Sequence, residues 1–278
     1  GLVSSVKKFP VLFIGCGKMG TSILDGVLSK SIINYNDIYI VEPNKNQRNL
    51  LLKKDICVFK NISEVNIKKL GIKVLLIAVK PQILKEVALE IKDHIQINIP
   101  IITLVAGKKI KFYKNIFGNN TSIIRVMPNT PSSFGKGVSA VYPCKKTKKV
   151  TLEKTKKIFT AVGKVITLKQ EKQMDIVTAI SGSGPAYVFL FIENLIKTAI
   201  NNGLEEKIAN ILVKETFLGS SYMASISKKS PAELRIDVTS PGGVTEAALE
   251  EFNKNSIFKK TIEKAIKSAV KKSITLSN

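Results

Sequence analysis

The sequence predicts an α/β chain: a domain built on a mainly parallel sheet over residues 1–168, then an all-helical domain over residues 169–278. Three features carry this. A short apolar run opens straight into a glycine-rich turn and a helical stretch; strand-like and helix-like segments then alternate; and beyond residue 169 no strand-like alternation remains. With 278 residues, 44% of them hydrophobic, the chain is long enough to build a core in each domain.

After a short polar lead, Val11-Leu12-Phe13-Ile14 reads as a strand, Gly15-Cys16-Gly17-Lys18-Met19-Gly20 as a turn, and the residues to about Lys30 as a helix. The glycines have G-x-G-x-x-G spacing: the first makes the turn, the second admits a pyrophosphate and the third lets helix pack on strand. With a strand before it and a helix after it, the motif predicts a dinucleotide-binding domain of the Rossmann type. Residues 38–41 form a second strand, and Glu42 ends it twenty-two residues after Gly20, near the ~20-residue offset of a ribose-binding acid. Asn44, Lys45 and Arg48 follow closely, and two outcomes stay open. Either the Glu42 carboxylate accepts the ribose 2′-OH and favours NADH, or the basic loop takes a 2′-phosphate with Glu42 turned away.

Strands are expected at 74–79, 99–105 and 121–126, with helices at 83–94 and 108–117, which gives repeated βα units with right-handed crossovers. Loops at the carboxyl ends of such strands form the ligand crevice, so Ala78-Val79-Lys80-Pro81, Val105-Ala106-Gly107 and Met127-Pro128-Asn129-Thr130-Pro131 are expected around the cofactor. Lys80 either touches a phosphate or ribose there or is a surface lysine before a turn. Asn129 either reaches the nicotinamide end or merely turns the chain. Strands at 137–142 and 164–168 bracket a helix at 147–161 and finish the domain.

Helices are then expected at 171–180, 185–202, 205–225, 231–238, 244–252 and 256–273. The second is apolar on every side for two turns, and such a helix must be enclosed all round. Its neighbours cannot easily do that alone, so a homodimer with interleaved helical domains is expected. Just ahead of it, Ser181-Gly182-Ser183-Gly184-Pro185 reads as a turn into a helix N-terminus, capped by Ser181 and Ser183. Ser240-Pro241-Gly242-Gly243-Val244-Thr245 is a second such turn. Unpaired N–H groups and the helix dipole suit it to a small carboxylate, and Thr245 adds a hydroxyl; an ordinary connector capped by Thr245 accounts for the same residues. Two such turns suggest a shared site facing the cofactor crevice.

The formal charge of +23 raises nucleic-acid and anionic-membrane partners. The lysines are scattered, with no basic stripe interleaved with aromatics, so neither partner is expected. Apolar runs such as residues 74–79 are too short to span a bilayer, and no signal peptide is visible. Cys16, Cys57 and Cys144 are odd in number and His94 is the only histidine, which leaves no metal site and indicates reduced thiols in a cytoplasmic protein.

Taken in order, the turn at 15–20, Ala78-Val79-Lys80-Pro81, Met127-Pro128-Asn129-Thr130-Pro131, Ser181-Gly182-Ser183-Gly184-Pro185-Ala186-Tyr187 and Ser240-Pro241-Gly242-Gly243-Val244-Thr245 closely resemble the pyrroline-5-carboxylate reductases, over about residues 10–275. The resemblance implies reduction of Δ1-pyrroline-5-carboxylate to L-proline, the final step of proline biosynthesis, with NADPH leading and NADH as the alternative. It also implies homodimers that can assemble into decamers. Cofactor contacts are implied for Gly15, Cys16, Gly17, Lys18, Met19, Asn61, Val79, Lys80 and Ala106, and substrate contacts for Val244 and Thr245, beside Ser240, Gly242 and Gly243 of the same turn. Thr245 is the expected catalytic residue. The chemistry agrees, because reducing a cyclic imine needs a hydride donor, an anion site and a hydrogen-bond donor at the ring nitrogen, with no covalent nucleophile or metal. A β-hydroxyacid dehydrogenase shares the broad architecture, but its family pattern places a catalytic Lys in the helix after a glycine-rich turn, and residues 185–196 contain none. A basic dinucleotide-binding scaffold without catalysis would account for the charge and leave both turns of the helical half idle.

Overall fold

The computed structural model describes residues 8–94 and 98–278, so the expected polar lead lies almost wholly outside it. Strands β1 (Val11–Ile14), β2 (Ile38–Val41), β3 (Cys57–Phe59), β4 (Val74–Ile77), β5 (Ile101–Thr103), β6 (Ile123–Met127), β7 (Gly137–Pro143) and β8 (Gly163–Thr167) form one sheet in the spatial order β3-β2-β1-β4-β5-β6-β7-β8. All neighbours run parallel except β6 and β7. Residues 128–136 between those two are too few for a parallel crossover. Helices α1 (Gly17–Ser29), α2 (Lys45–Leu52), α3 (Ile67–Leu70), α4 (Leu84–His94), α5 (Ile110–Phe117) and α6 (Lys149–Thr160) make the connections. Residues 43–73, where the sequence pattern names no element, hold α2, β3 and α3.

Successive residues of a strand enter opposite layers. Val11, Phe13, Val74 and Leu76 pack with Ile23, Leu24 and Val27 of α1 and Ile158 and Phe159 of α6. Leu12, Ile14, Leu75 and Ile77 pack with Leu84 and Ile91 of α4 and Ile110 and Tyr113 of α5. Strands covered on both faces have no side to leave polar, which is why β1 and β4 are unbroken apolar runs.

The chain divides into two compact units, Gly1–Ser183 with Ala269–Asn278, and Gly184–Ser268. The division expected at 168/169 follows the change from strands to helices, whereas packing carries the first unit further. Glu171 Oε2 accepts from Arg125 Nη1 at 3.0 Å and from the Ile110 N–H at 2.8 Å. After it comes α7 (Gln173–Val177), with Met174 buried. Ser273, far along the chain, donates its hydroxyl to Asp175 Oδ1 at 2.7 Å.

The turn expected at 181–185 is not a helix start. Thr178–Gly182 form a π-helical turn, closed by the Ser183 N–H on Thr178 O at 2.8 Å, and the helix runs on as α8 (Gly184–Asn201). Ser181 caps nothing: its hydroxyl donates back to Val177 O at 3.1 Å, and Ser183 is itself helical at φ −91°, ψ −18°. Pro185 supplies the reason. It has no N–H to give Ser181 O, so an α-turn gains little there and a wider turn is cheap. The freed Ser181 carbonyl accepts instead from Asn129 Nδ2 at 3.1 Å.

In the second unit α8 is followed by α9 (Glu206–Ile226), α10 (Pro231–Asp237), α11 (Val244–Asn253) and the start of α12 (Ile257–Ser277). Phe191 meets Phe217 and Phe252 edge-on, with ring centroids 5.4 Å and 6.2 Å apart. Yet the only buried hydrophobic residues of this unit are Ala209 and Val213, and α8 buries none. The whole helical stretch Gln173–Asn201 is, by length and composition, long and apolar enough to cross a membrane. Scanning for unbroken apolar runs overlooks it, because Ser181, Gly182 and Ser183 interrupt the pattern without interrupting the helix.

Helix α1 lies so close to the end of α6 that a Cβ on Gly26 would come 2.5 Å from Val162 Cγ1 and 3.1 Å from Ala161 O. In Gly26→Ala, overpacking at about 1–3 kcal/mol outweighs the ~0.5–1 kcal/mol gained in helix propensity. The Tm should fall by several degrees, at roughly 2–4 °C per kcal/mol. A melt at or above the parent's would mean that α1 can move aside.

Candidate active site

The chain leaves β1 toward β2 and β3 on one side and resumes with β4 on the other, so a crevice opens at the carboxyl ends of β1 and β4. Gly15 stands there at φ +75°, and a Cβ on it would lie 2.8 Å from Val79 Cγ1 and 3.1 Å from Ala78 O. Its N–H is fixed on Val41 O at 2.8 Å, and Ala78 donates to Ile14 O at 2.9 Å. Helix α1 begins two residues later with no side-chain cap and no acid in its first turn. The N–H groups of Gly17, Lys18 and Met19 are therefore open at the positive end of a 13-residue helix, and the bare Gly15 keeps the approach clear. This arrangement fits a pyrophosphate.

Cys16 precedes α1, its Sγ 3.5 Å from Thr21 Oγ1. Burial pushes its thiol up to about 11, so it is neutral near pH 7 and no nucleophile. Cys16, Cys57 and Cys144 are all free.

The other residues expected at the cofactor stand on the neighbouring loops of this unit. Glu42, at the end of β2, is buried, and its Oε2 accepts the Asn44 N–H at 3.1 Å. Asn44 caps α2, its Oδ1 accepting from Gln47 N at 3.0 Å. Asn61 follows β3 with its side chain exposed. Val79 lies against Gly15, Lys80 is exposed at the head of a short turn, and Ala106 is exposed after β5. Asn129 ties two loops of the chain together: while Nδ2 holds Ser181 O, its Oδ1 accepts the Val138 N–H at 3.0 Å. Nothing in the sequence marks that pairing, which spans 52 residues.

In the second unit, Gly242 takes φ +72° and α11 starts at Val244, with Gly243 as an N-cap that offers no side chain. The turn's N–H groups are not all open, as the sequence reading had them. Gly243 donates to Ser240 O at 3.0 Å, and Gly242 to Glu246 Oε1 at 3.3 Å. Val244 and Thr245 keep theirs. Thr245 is the second residue of the helix and not its cap, and its half-buried hydroxyl has no hydrogen bond among the described residues, so the connector-and-cap alternative does not describe it. Val244 beside it is 90% exposed. Glu246 was missed, although an acid three residues past the cap is a signature of helix starts. Of the two glycine-rich turns read as helix starts in the helical half, this is the one that opens a helix. A groove of 380 Å³ lined by Lys111, Lys114, Tyr142, Lys145 and Glu171 shares no residue with either site.

Comparisons with known proteins match both halves of the chain. Residues 171–276 fit a family model described as pyrroline-5-carboxylate reductase dimerisation, and residues 10–107 one described as NADP oxidoreductase coenzyme F420-dependent. A pyrroline-5-carboxylate reductase of Arabidopsis thaliana is 37% identical over 98% of this chain and 96% of that protein, and one of Bacillus subtilis 32% identical over 94% and 92%. Among solved structures, a pyrroline-5-carboxylate reductase from Coxiella burnetii superposes with a TM-score of 0.90 at 31% identity, covering 98% of this chain and all of that one. The Plasmodium falciparum pyrroline carboxylate reductase with NADP bound gives 0.86 at 30% identity, covering 99% of this chain and 100% of that one. Similarity at this level, carried through both units, assigns the chain to the pyrroline-5-carboxylate reductase family.

Proposed function

We propose that this chain reduces Δ1-pyrroline-5-carboxylate to L-proline with NADPH or NADH. The observation that carries the reading is the start of α11, where two open N–H groups and an unpartnered hydroxyl, those of Val244 and Thr245, sit together without a basic side chain. A carboxylate suits the N–H pair at the helix's positive end, and a ring nitrogen suits the hydroxyl. Ser240, Gly242 and Gly243 shape the turn. Gly17, Lys18 and Met19 hold the pyrophosphate beneath the bare Gly15 and Cys16, flanked by Asn61, Val79, Lys80 and Ala106.

The bound dinucleotide supplies the hydride for the imine carbon. What the chain adds is orientation and polarisation as the C=N electron pair moves onto nitrogen. The Thr245 hydroxyl is no strong acid near pH 7, so it donates to the ring nitrogen or orients a water there, and the proton comes from solvent or is already on the imine.

The apolar α8 and the nearly coreless second unit support a homodimer in which residues 169–278 interleave with those of a second copy, so that Gln173–Asn201 is covered by protein and not by lipid. Assembly of such dimers into a decamer follows from the family resemblance. Light scattering at micromolar concentration should give a dimer or a multiple of it, and a fully active monomer would refute the interleaved arrangement.

Thr245→Val keeps the shape and removes the hydroxyl. Loss of that hydrogen bond should cost about 1–3 kcal/mol, roughly 10- to 100-fold in kcat/KM for imine reduction, followed by oxidation of the reduced nicotinamide. Dinucleotide affinity and Tm should barely move. Full turnover in the variant would remove Thr245 from the mechanism.

A further inference from the structure

We propose that Glu42 selects between the two nicotinamide dinucleotides at the adenosine ribose, so that the chain holds the form with a free 2′-OH more tightly than its 2′-phosphorylated counterpart. This rests on the reading that the glycine turn takes a dinucleotide. The sheet sets the end of β2 beside that turn: Val41 pairs with Ile14, and Gly15 donates to Val41 O at 2.8 Å. Glu42 comes next, its own N–H fixed on Phe59 O at 2.9 Å, and the residue is only 8% exposed. Its Oε2 accepts the Asn44 N–H at 3.1 Å, which fixes the carboxylate on its own loop. The charge reaches the turn: burial is the main cause of the raised Cys16 pKa, and the Glu42 charge adds to it.

The neighbouring cations make no direct ion pair with this carboxylate. Arg48 spends Nη1 on the carbonyl oxygens of Glu42, at 3.0 Å, and Pro43, at 2.6 Å, and neither it nor Lys45 forms an ion pair with Glu42. The Asn44 oxygen is occupied in capping α2. The carboxylate is thus held in place without a direct ion pair, and such an anion accepts a hydrogen bond from a 2′-OH and repels a 2′-phosphate.

Calorimetric titration of the whole protein with NAD⁺ and NADP⁺, without imine, reads the selection directly. The parent should bind NAD⁺ more tightly, and Glu42→Gln, which can still accept from the Asn44 N–H, should shift the ratio of the two Kd values toward NADP⁺ by about tenfold or more, one such charge interaction being worth ~1.4 kcal/mol. Glu42→Ser should shift it in the same direction, and the ratio of kcat/KM for NADH and NADPH should follow in both variants. A parent that binds NADP⁺ more tightly, or an unchanged ratio in both variants with binding intact, would overturn the proposal. Failure of the parent to bind either dinucleotide would overturn the underlying reading as well.

Discussion

Where β1 ends, Gly15 passes so close to β4 that any side chain on it would strike Val79 and the carbonyl of Ala78. Much else follows from that approach. With the two strands in contact and their order reversing between them, the next residues must turn sharply upward, and the helix they enter begins with its N–H groups bare. On the other side of β1, its own ladder with β2 delivers Glu42 to the edge of the turn. Buried layers on both faces of the sheet pack beneath this turn.

The second unit meets a different constraint. Its helices pair through Phe191, Phe217 and Phe252, but most of their apolar surface remains in water in a single copy. In the proposed dimer this surface is covered by the second copy, and association then becomes part of folding: the unit's stability would rise with protein concentration, while the sheet carries its own core. The start of α11, with Val244 projecting, lies within this dependent half.

The legible parts of the fold were those where one residue type has one reason to be present. Val11-Leu12-Phe13-Ile14 and Val74-Leu75-Leu76-Ile77 are apolar throughout because both faces are buried, and periodicity finds them. Strand β3 escapes notice because it is three residues long and begins with an exposed Cys57. The stretch 181–185 misleads because serine, glycine and proline ordinarily punctuate, and only the missing N–H of Pro185, answered by Asn129 from another loop, explains why the helix widens instead of stopping. At the candidate site the glycine turn at 15–20 was legible from its spacing and the start of α11 from its Pro-Gly-Gly turn, whereas a role for Thr245 comes from the family resemblance. The use of the Gly242 N–H by Glu246, and of the Asn44 N–H by Glu42, was not legible, because such local bonds depend on side-chain rotamers that a sequence pattern does not encode.

Residues 269–278 belong to the first unit, although the whole of the second separates them from it along the chain. Leu276 brings its carbonyl oxygen to 3.5 Å from where a Cβ on Gly107 would stand, and Ser273 reaches Asp175. The loop after β5 and the helix after β8 therefore take part of their packing from the last turns of α12. The unit that holds the sheet is thus closed by residues that lie beyond the whole of the second unit along the chain.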